Sequence, residues 1–309
     1  MRAILAAAAL AAVIHVPHGY RVSTYASGLQ HPTAMSFGPN GRLYVSEDVG
    51  KIVSVARGET QPRPFAGGLT VPLGLLWRGR TLYVSESGKV EALRAGRPRR
   101  VVLSGLPYGE HQQDAIVAGP DGRLYLGSGS TCDACVEEDP RSAAILSFKP
   151  DGSDLRVVAS GLRNPYGLVF VGKTLYATVN GKDKLGDTEP AETVVRVQRG
   201  ARYGWPDCWA SYALKKLTGS CAGVTRPVAY LEPHSSADGI ASWRGDLYVA
   251  EWGEYLHHDH GRYLVRIANG RPTTFATGFD HPLAVAVDPS GDLLVADWGQ
   301  GVIYAIRKR

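Results

Sequence analysis

No GxSxG nucleophile elbow, no P-loop and no Rossmann glycine fingerprint occurs in the 309 residues. Their absence removes the usual sequence routes to a serine hydrolase of that type, a P-loop phosphotransferase or a nicotinamide-dependent dehydrogenase. Beyond the N-terminus no apolar run is long enough to span a bilayer as a helix. Charge of one sign is also scarce. The formal net charge is +5, and Lys and Arg are scattered. The one basic run, RAGRPRR at 94–100, has no aromatic residues interleaved with it and reads as a solvated turn, not a nucleic-acid site. What is plentiful is glycine, at 37, and proline, at 19, with a hydrophobic content of 44%. That combination fits a packed core with many turns and excludes a disordered chain.

Cysteine is sparse and local. Cys132 and Cys135 lie in TCDAC, and Cys208 and Cys221 form a wider pair. An exported protein uses such pairs as two disulfides. A single zinc site built from all four is the rival, although only one CxxC is present. Residues 1–16 carry Arg2 and a short alanine-rich apolar run. They read as a secretory signal or an N-terminal extension, which places the protein outside the cell or in the periplasm. Residues 17–309 are expected to form one domain.

One phrase recurs six times: GRLYVSE at 41, RTLYVSE at 80, GRLYLGS at 122, KTLYATVNG at 173, GDLYVAEWG at 245 and GDLLVADWG at 291. Each is β-branched or aromatic and follows a turn, as a strand does. An apolar strand precedes every copy, a third strand follows it, and a fourth often comes after. Four antiparallel strands in each of six units predict an all-β, six-bladed β-propeller. The last unit ends at VIYAIRKR without a fourth strand. YRVSTYASGL at 20–29 has the missing pattern, so the N-terminal strand is expected to complete the last blade.

In that architecture the loops that lead into each innermost strand share one face with those joining the second and third strands. Polar groups from all six blades are therefore expected at one mouth, including Glu47, Glu86, Glu251 and Asp297, with the aromatic Trp252 and Trp298. His111, in GEHQQDAIVAGPDGRLYLGS, can accept a proton near neutral pH. In SGLRNPYGL, Pro165 holds Asn164 extended, so Arg163 and Asn164 are expected to project from a fixed backbone. Arg163 offers a donor fork to a carbonyl, alkoxide or carboxylate. NGKDKLGDTEPAE at 180–192 gathers Asp183, Asp187, Glu189 and Glu192, oxygen donors suited to a hard cation. HHDH at 257–260 offers transition-metal ligands but reads more simply as a surface loop. The Gly-Ser run at 127–130 carries no distinct signal.

The order of these motifs from His111 to Pro206 resembles that of the soluble pyrroloquinoline quinone (PQQ) dependent glucose and sorbosone dehydrogenases. The resemblance rests on H…GPDGRLYLGSGSTCDAC, DPRSAAILSFKPDGS, GLRNPYGL, NGKDKLGDTEPAE, RYGWPDCW and PHSSADGI. It implies a six-bladed propeller that oxidises an aldose or sorbosone-type sugar at C1, with an external electron acceptor. His111 matches the general base, which takes the C1 hydroxyl proton while hydride passes to the quinone. Arg163 matches the arginine that polarises quinone and substrate oxygens. Asn164 matches a cofactor contact, and Asn180, Gly181 and Lys182 the backbone that holds a Ca²⁺ bridging to PQQ. Asp183, Glu192 and Tyr203 match a second, structural calcium site. Glucose-oxidising members hold the PQQ carboxylates with basic residues of the last two blades. Here those loops read VAEWGEY and FDHPLAV, and His281 falls near one such position. A non-catalytic binding propeller and a calcium-dependent lactonase-like hydrolase are the other readings of the same mouth. A monomer or homodimer is expected, with no nucleic-acid partner.

Overall fold

The computed structural model describes residues 13–254 and 260–309. Most of the expected leader, and His257, His258 and Asp259 of the HHDH run, lie outside the described residues. No helix of the described residues is long and apolar enough to cross a membrane.

Six four-stranded antiparallel sheets form a ring. Blade 1 runs Pro32–Phe37, Leu43–Glu47, Lys51–Val55 and Arg63–Gly67 from axis to rim. Blade 3 runs Gln113–Ala118, Leu124–Ser128, Ala144–Phe148 and Arg156–Ser160. Blade 6 takes Pro282–Val287, Leu293–Asp297 and Val302–Lys308 from the C-terminus and Tyr20–Ala26 from the N-terminus. Tyr20 pairs with Lys308 and Thr24 with Tyr304. The two ends of the chain therefore close the ring, as expected. The closure extends upstream, where His15 bridges Thr277 and Ile14 and Val16 pack on the cluster around Trp243 and Phe275.

The recurring Leu-Tyr-Val phrase is the second strand of each blade. Leu43–Glu47 and Thr81–Glu86 are buried at every residue, and so is Leu293–Asp297. A strand packed on both faces shows no alternation of apolar and polar residues, so an unbroken apolar stretch precedes the buried polar residues at its end. The outermost strands pack on one face and carry the charge. Blade 4 departs from the expected pattern. Its outer strand is only Ala229–Tyr230. A separate hairpin, Cys208–Ser211 with Lys216–Gly219, is inserted before it and tied by the Cys208–Cys221 disulfide. Cys132 and Cys135 form the second disulfide, so the four thiols are not a zinc site.

The blades meet at the axis through a repeated pair. Thr33-Ala34, Leu73-Gly74, Asp114-Ala115, Tyr166-Gly167, Asp238-Gly239 and Leu283-Ala284 stand at or just before the start of the six innermost strands. The second member is always Ala or Gly because it packs on the next blade's backbone. A methyl group on Gly74 would overlap the Asp114 carbonyl, one on Gly167 the Asp238 carbonyl, and one on Gly239 the Leu283 carbonyl. Gly239→Ala is thus expected to destabilise the protein by about 1–3 kcal/mol, the usual cost of overpacking. Urea unfolding measures this; an unchanged midpoint would mean that blades 5 and 6 do not pack this closely.

Candidate active site

A cavity of about 620 Å³ opens at the mouth of the ring, over blades 3, 4 and 5. His111, Arg163, Asn164, Asn180, Asp183 and Glu192 line it. Six residues chosen from sequence are thus brought together by two neighbouring blades, 3 and 4.

Four of the acidic groups expected at the mouth are not in its lining. Glu47, Glu86, Glu251 and Asp297 are buried at the ends of second strands. Their carboxylates turn back and accept hydrogen bonds from the loop leading into the same blade. Gln30 N–H donates to Glu47 Oε1 (2.7 Å), Thr70 N–H to Glu86 Oε2, and the Asp280 and His281 N–H groups to Asp297 (2.8 and 2.9 Å). Glu251 accepts from the Ser235 hydroxyl. These carboxylates hold loops in place, because buried loop amides need an acceptor. In blades 3 and 4 the same position is Ser128 and Val179. Those two blades, which carry His111 and Arg163, hold their mouth loops by other means.

In blade 3 the substitute is a backbone ladder onto the loop after Ser128. His111 N–H donates to Ser130 O (3.1 Å), and Ser130 N–H donates to Arg163 O in blade 4 (2.7 Å). Gly129 between them has no room for a side chain, since a methyl group there would overlap both the His111 side chain and Asn164 Oδ1. His111 Nδ1 lies 3.2 Å from Ser130 O and 3.0 Å from Ser130 Oγ. The Ser130 hydroxyl donates to Cys132 O (2.7 Å). Both neighbours of Nδ1 are therefore acceptors, which assigns the proton to Nδ1 and leaves the lone pair on Nε2. Burial, reinforced by the positive charge of Arg163, pushes the His111 pKa down to about 4. The imidazole is neutral at pH 7 and ready to accept a proton.

Arg163 is 4% exposed. Its guanidinium contacts Asp133 Oδ1 (3.1 Å), Asp133 O (3.2 Å) and Asp183 Oδ2 (2.7 Å). Asp133 lies inside the Cys132–Cys135 disulfide loop. It also accepts from Asp183 N–H (2.8 Å) and, at its carbonyl, from the Trp205 indole (2.9 Å). One small cross-linked loop thus fixes Arg163 through Asp133 and His111 through Ser130. Neither Ser130 nor Asp133 stood out in the sequence. The only available sign was the closeness of TCDAC to the Gly-Ser run.

The acidic loop after Asn180 does not gather around one point. Asp183 turns to Arg163, while Glu189 accepts from Ser211 Oγ (2.7 Å) and from the Tyr212 and Ala213 amides of the hairpin. Glu192 is buried under Gly181, whose N–H donates to Glu192 Oε2 (2.6 Å). Burial pushes the Glu192 pKa up to about 8. Asp187 is exposed and pairs with His260 (3.3 Å). Lys182 lies over the Trp209 ring and donates to Pro206 O (3.3 Å). Tyr203 packs in the apolar cluster of blade 4 and donates to Arg196 O. Gly181, Lys182 and Tyr203 line a separate hollow of about 60 Å³ behind the cavity wall. His281 is also outside the cavity lining. It sits between Trp252 and Trp298, with ring centroids 4.3 and 5.6 Å away. His31 stacks on Trp298 (3.9 Å). The aromatic groups of blades 5, 6 and 1 thus form a ridge beside the mouth.

A family model for glucose/sorbosone dehydrogenases matches residues 99–257, more than half of the chain. Solved structures with the same fold include the holo PQQ domain of pyranose dehydrogenase from Coprinopsis cinerea. It is 18% identical, covers 97% of this chain and 98% of its own, and superposes with a TM-score of 0.85. A putative oxidoreductase (glucose dehydrogenase) from Thermus thermophilus is 25% identical over 94% of this chain and 100% of its own, with a TM-score of 0.77. The PQQ-bound aldose sugar dehydrogenase from Streptomyces coelicolor is 23% identical over 95% and 100%, with a TM-score of 0.75. Among curated proteins there is no significant match.

Proposed function

Since the chain belongs to the glucose/sorbosone dehydrogenase family, we propose that it is an exported PQQ- and Ca²⁺-dependent dehydrogenase that oxidises an aldose or sorbosone-type sugar at C1. The observation that carries this reading is the pair at the cavity wall: a neutral His111 with its Nε2 lone pair free to accept, beside a buried Arg163. A sugar hydroxyl placed between them loses its proton to His111 Nε2, and the Arg163 guanidinium stabilises the oxygen that becomes more negative. Ser130 holds the imidazole in the tautomer this needs, and Asp133 fixes the guanidinium.

The cavity suits a polar planar cofactor at one end. Asn164 Oδ1 and Asn180 Oδ1 are buried in its wall without hydrogen-bond partners among the described residues, which fits contacts to a bound group. Asn164 and Arg163 would hold the quinone side, and the Asn180 end of the Asn180–Lys182 backbone, whose Gly181 and Lys182 also line the hollow behind the wall, would hold the calcium beside Asp183 and Glu192. PQQ when bound supplies a two-electron acceptor, and Ca²⁺ a Lewis acid that activates it. Among the described residues the wall is otherwise acidic, with Asp183, Asp187, Glu192, Asp238 and Glu254 against the one guanidinium of Arg163. A cofactor with three carboxylates is held by such a wall only through bridging calcium, so PQQ binding should depend steeply on Ca²⁺. The sugar's carbon face is proposed to meet the aromatic ridge of Trp252 and Trp298. The two disulfides agree with an oxidising compartment.

The test is reconstitution of purified protein with PQQ and Ca²⁺, followed by dye reduction with a panel of aldoses. The expected result is a PQQ spectral change that appears only with Ca²⁺, and sugar-dependent reduction. Neither signal at any Ca²⁺ concentration would sink the proposal in favour of a non-catalytic binding propeller. Lactone hydrolysis with Ca²⁺ alone would replace it with a hydrolase.

A further inference from the structure

Below the cavity the six axis positions are not equivalent in chemistry. Blades 6, 1 and 2 present Leu283, Thr33 and Leu73. Blades 3, 4 and 5 present Asp114, Tyr166 and Asp238. The equivalence of these positions rests on the packing of Gly74, Gly167 and Gly239 against the next blade's carbonyl, and on breaks in strand register at the same point in blades 1, 3, 5 and 6. Register shifts between Gln113 and Ile116, between Ala237 and Ile240 and between Pro282 and Ala284. One half of the axis is therefore acidic and oxygen-rich.

Asp114 is 1% exposed, and neither of its carboxylate oxygens has a hydrogen-bond partner among the described residues. The Tyr166 hydroxyl is also buried without one. Asp238 is buried and accepts from Asn180 Nδ2 (3.2 Å) and Ser236 Oγ (3.4 Å). Burial and the charge of Asp238 raise the Asp114 pKa well above the carboxylate range. Burial, then the charges of Asp238 and Asp114, raise that of Tyr166. Among the described residues no Lys or Arg faces the group: the axis positions of the other three blades are Thr and Leu. Leaving a buried carboxylate without partners costs several kcal/mol, and two of them near each other cost more. A hard divalent cation removes both costs. It takes carboxylate and neutral oxygen ligands, and two aspartates balance its charge. Tyr166 and Asp238 also line the mouth cavity, which supplies a path for the ion and room for its water ligands.

We propose that Asp114, Tyr166 and Asp238 form an axial site for a divalent cation such as Ca²⁺, beneath the cavity and separate from the calcium assigned above to the Asn180–Lys182 backbone. The ion ties the innermost strands of blades 3, 4 and 5 together. The site does not require PQQ, so its success or failure is independent of the quinoprotein reading. The test is calorimetric titration of chelator-treated protein with CaCl₂ in the absence of quinone. Wild-type protein is expected to bind, and to melt at higher temperature in Ca²⁺ than in chelator. Asp114→Asn, which keeps shape and loses charge, is expected to weaken the axial binding at least 100-fold and to abolish most of the Ca²⁺-dependent rise in melting temperature. In chelator it should melt no lower than wild type, which shows that the fold survives. Asp238→Asn should behave in the same way. Wild-type protein that binds no Ca²⁺, or aspartate variants that retain wild-type stoichiometry and affinity, would overturn the site.

Discussion

His111→Ala is expected to lower sugar-dependent turnover of the reconstituted enzyme by about 10²-fold or more, with little change in thermal stability at neutral pH. The size follows from loss of a positioned base. The small effect on stability follows from its environment: the ring makes one polar contact region, at Ser130, and is uncharged at pH 7. The pH profile gives a second reading. Burial and Arg163 hold His111 down to about 4, so kcat/KM of the wild-type enzyme should stay level as pH falls through 6.5 and drop only near 4. A group with a depressed folded pKa also bears on stability. The unfolded chain takes up a proton at His111 near pH 6.5, whereas the folded chain does so only near 4. His111 therefore subtracts stability as pH falls through that window, and the alanine variant should be less sensitive to acid there. Wild-type turnover in the variant, or an acid limb at 6.5, would refute the assigned role.

The fold was legible because its signals are periodic. The Leu-Tyr-Val phrase marks a strand buried on both faces, and six copies with matching neighbours give the blade count. The ring closure could be read from the incomplete last unit and the orphan strand at 20–29. The blade 4 hairpin was not legible, because its strands are short and polar and fall between two copies of the repeat.

The site was legible in part, and the reason differs by residue. His111, Arg163 and Asn164 sit in loops whose place is set by strand order, so counting blades was enough to bring them together. Glu47, Glu86, Glu251 and Asp297 were misplaced at the mouth because sequence position fixes a residue's loop, not the direction of its side chain. Each is a carboxylate beside a turn with unpaired amides, and those amides capture it. Ser130 and Asp133 act through a backbone carbonyl and a disulfide loop, contacts for which composition and spacing carry no mark. Asp114, Tyr166 and Asp238 share an axis position that becomes apparent only when the Ala or Gly following each is aligned across all six blades.

Arg163→Met is expected to reduce kcat/KM by about 10²–10³-fold, the usual cost of removing a preorganised donor from a developing negative oxygen. It should also move the acid limb. After burial, the positive charge of Arg163 is the largest cause of the low His111 pKa. Removing it lets the imidazole protonate more easily, so the limb shifts upward from about 4 toward 6.5. The variant also leaves the buried Asp133 carboxylate without its guanidinium, and breaking a buried pair in this way costs about 3–5 kcal/mol. Stability and chemistry are separated by Arg163→Lys. The ammonium keeps the charge near Asp133, so the acid limb should return toward 4 and stability should recover. It cannot reproduce the fork that touches Asp133 and Asp183 at once, so turnover should stay low. If Arg163→Met left the limb where it is in the wild type, Arg163 would not be the charge that keeps His111 neutral. If Arg163→Lys restored full turnover, charge alone would be enough, and the clamp built by Asp133 and its disulfide loop would have no part in orienting the reaction.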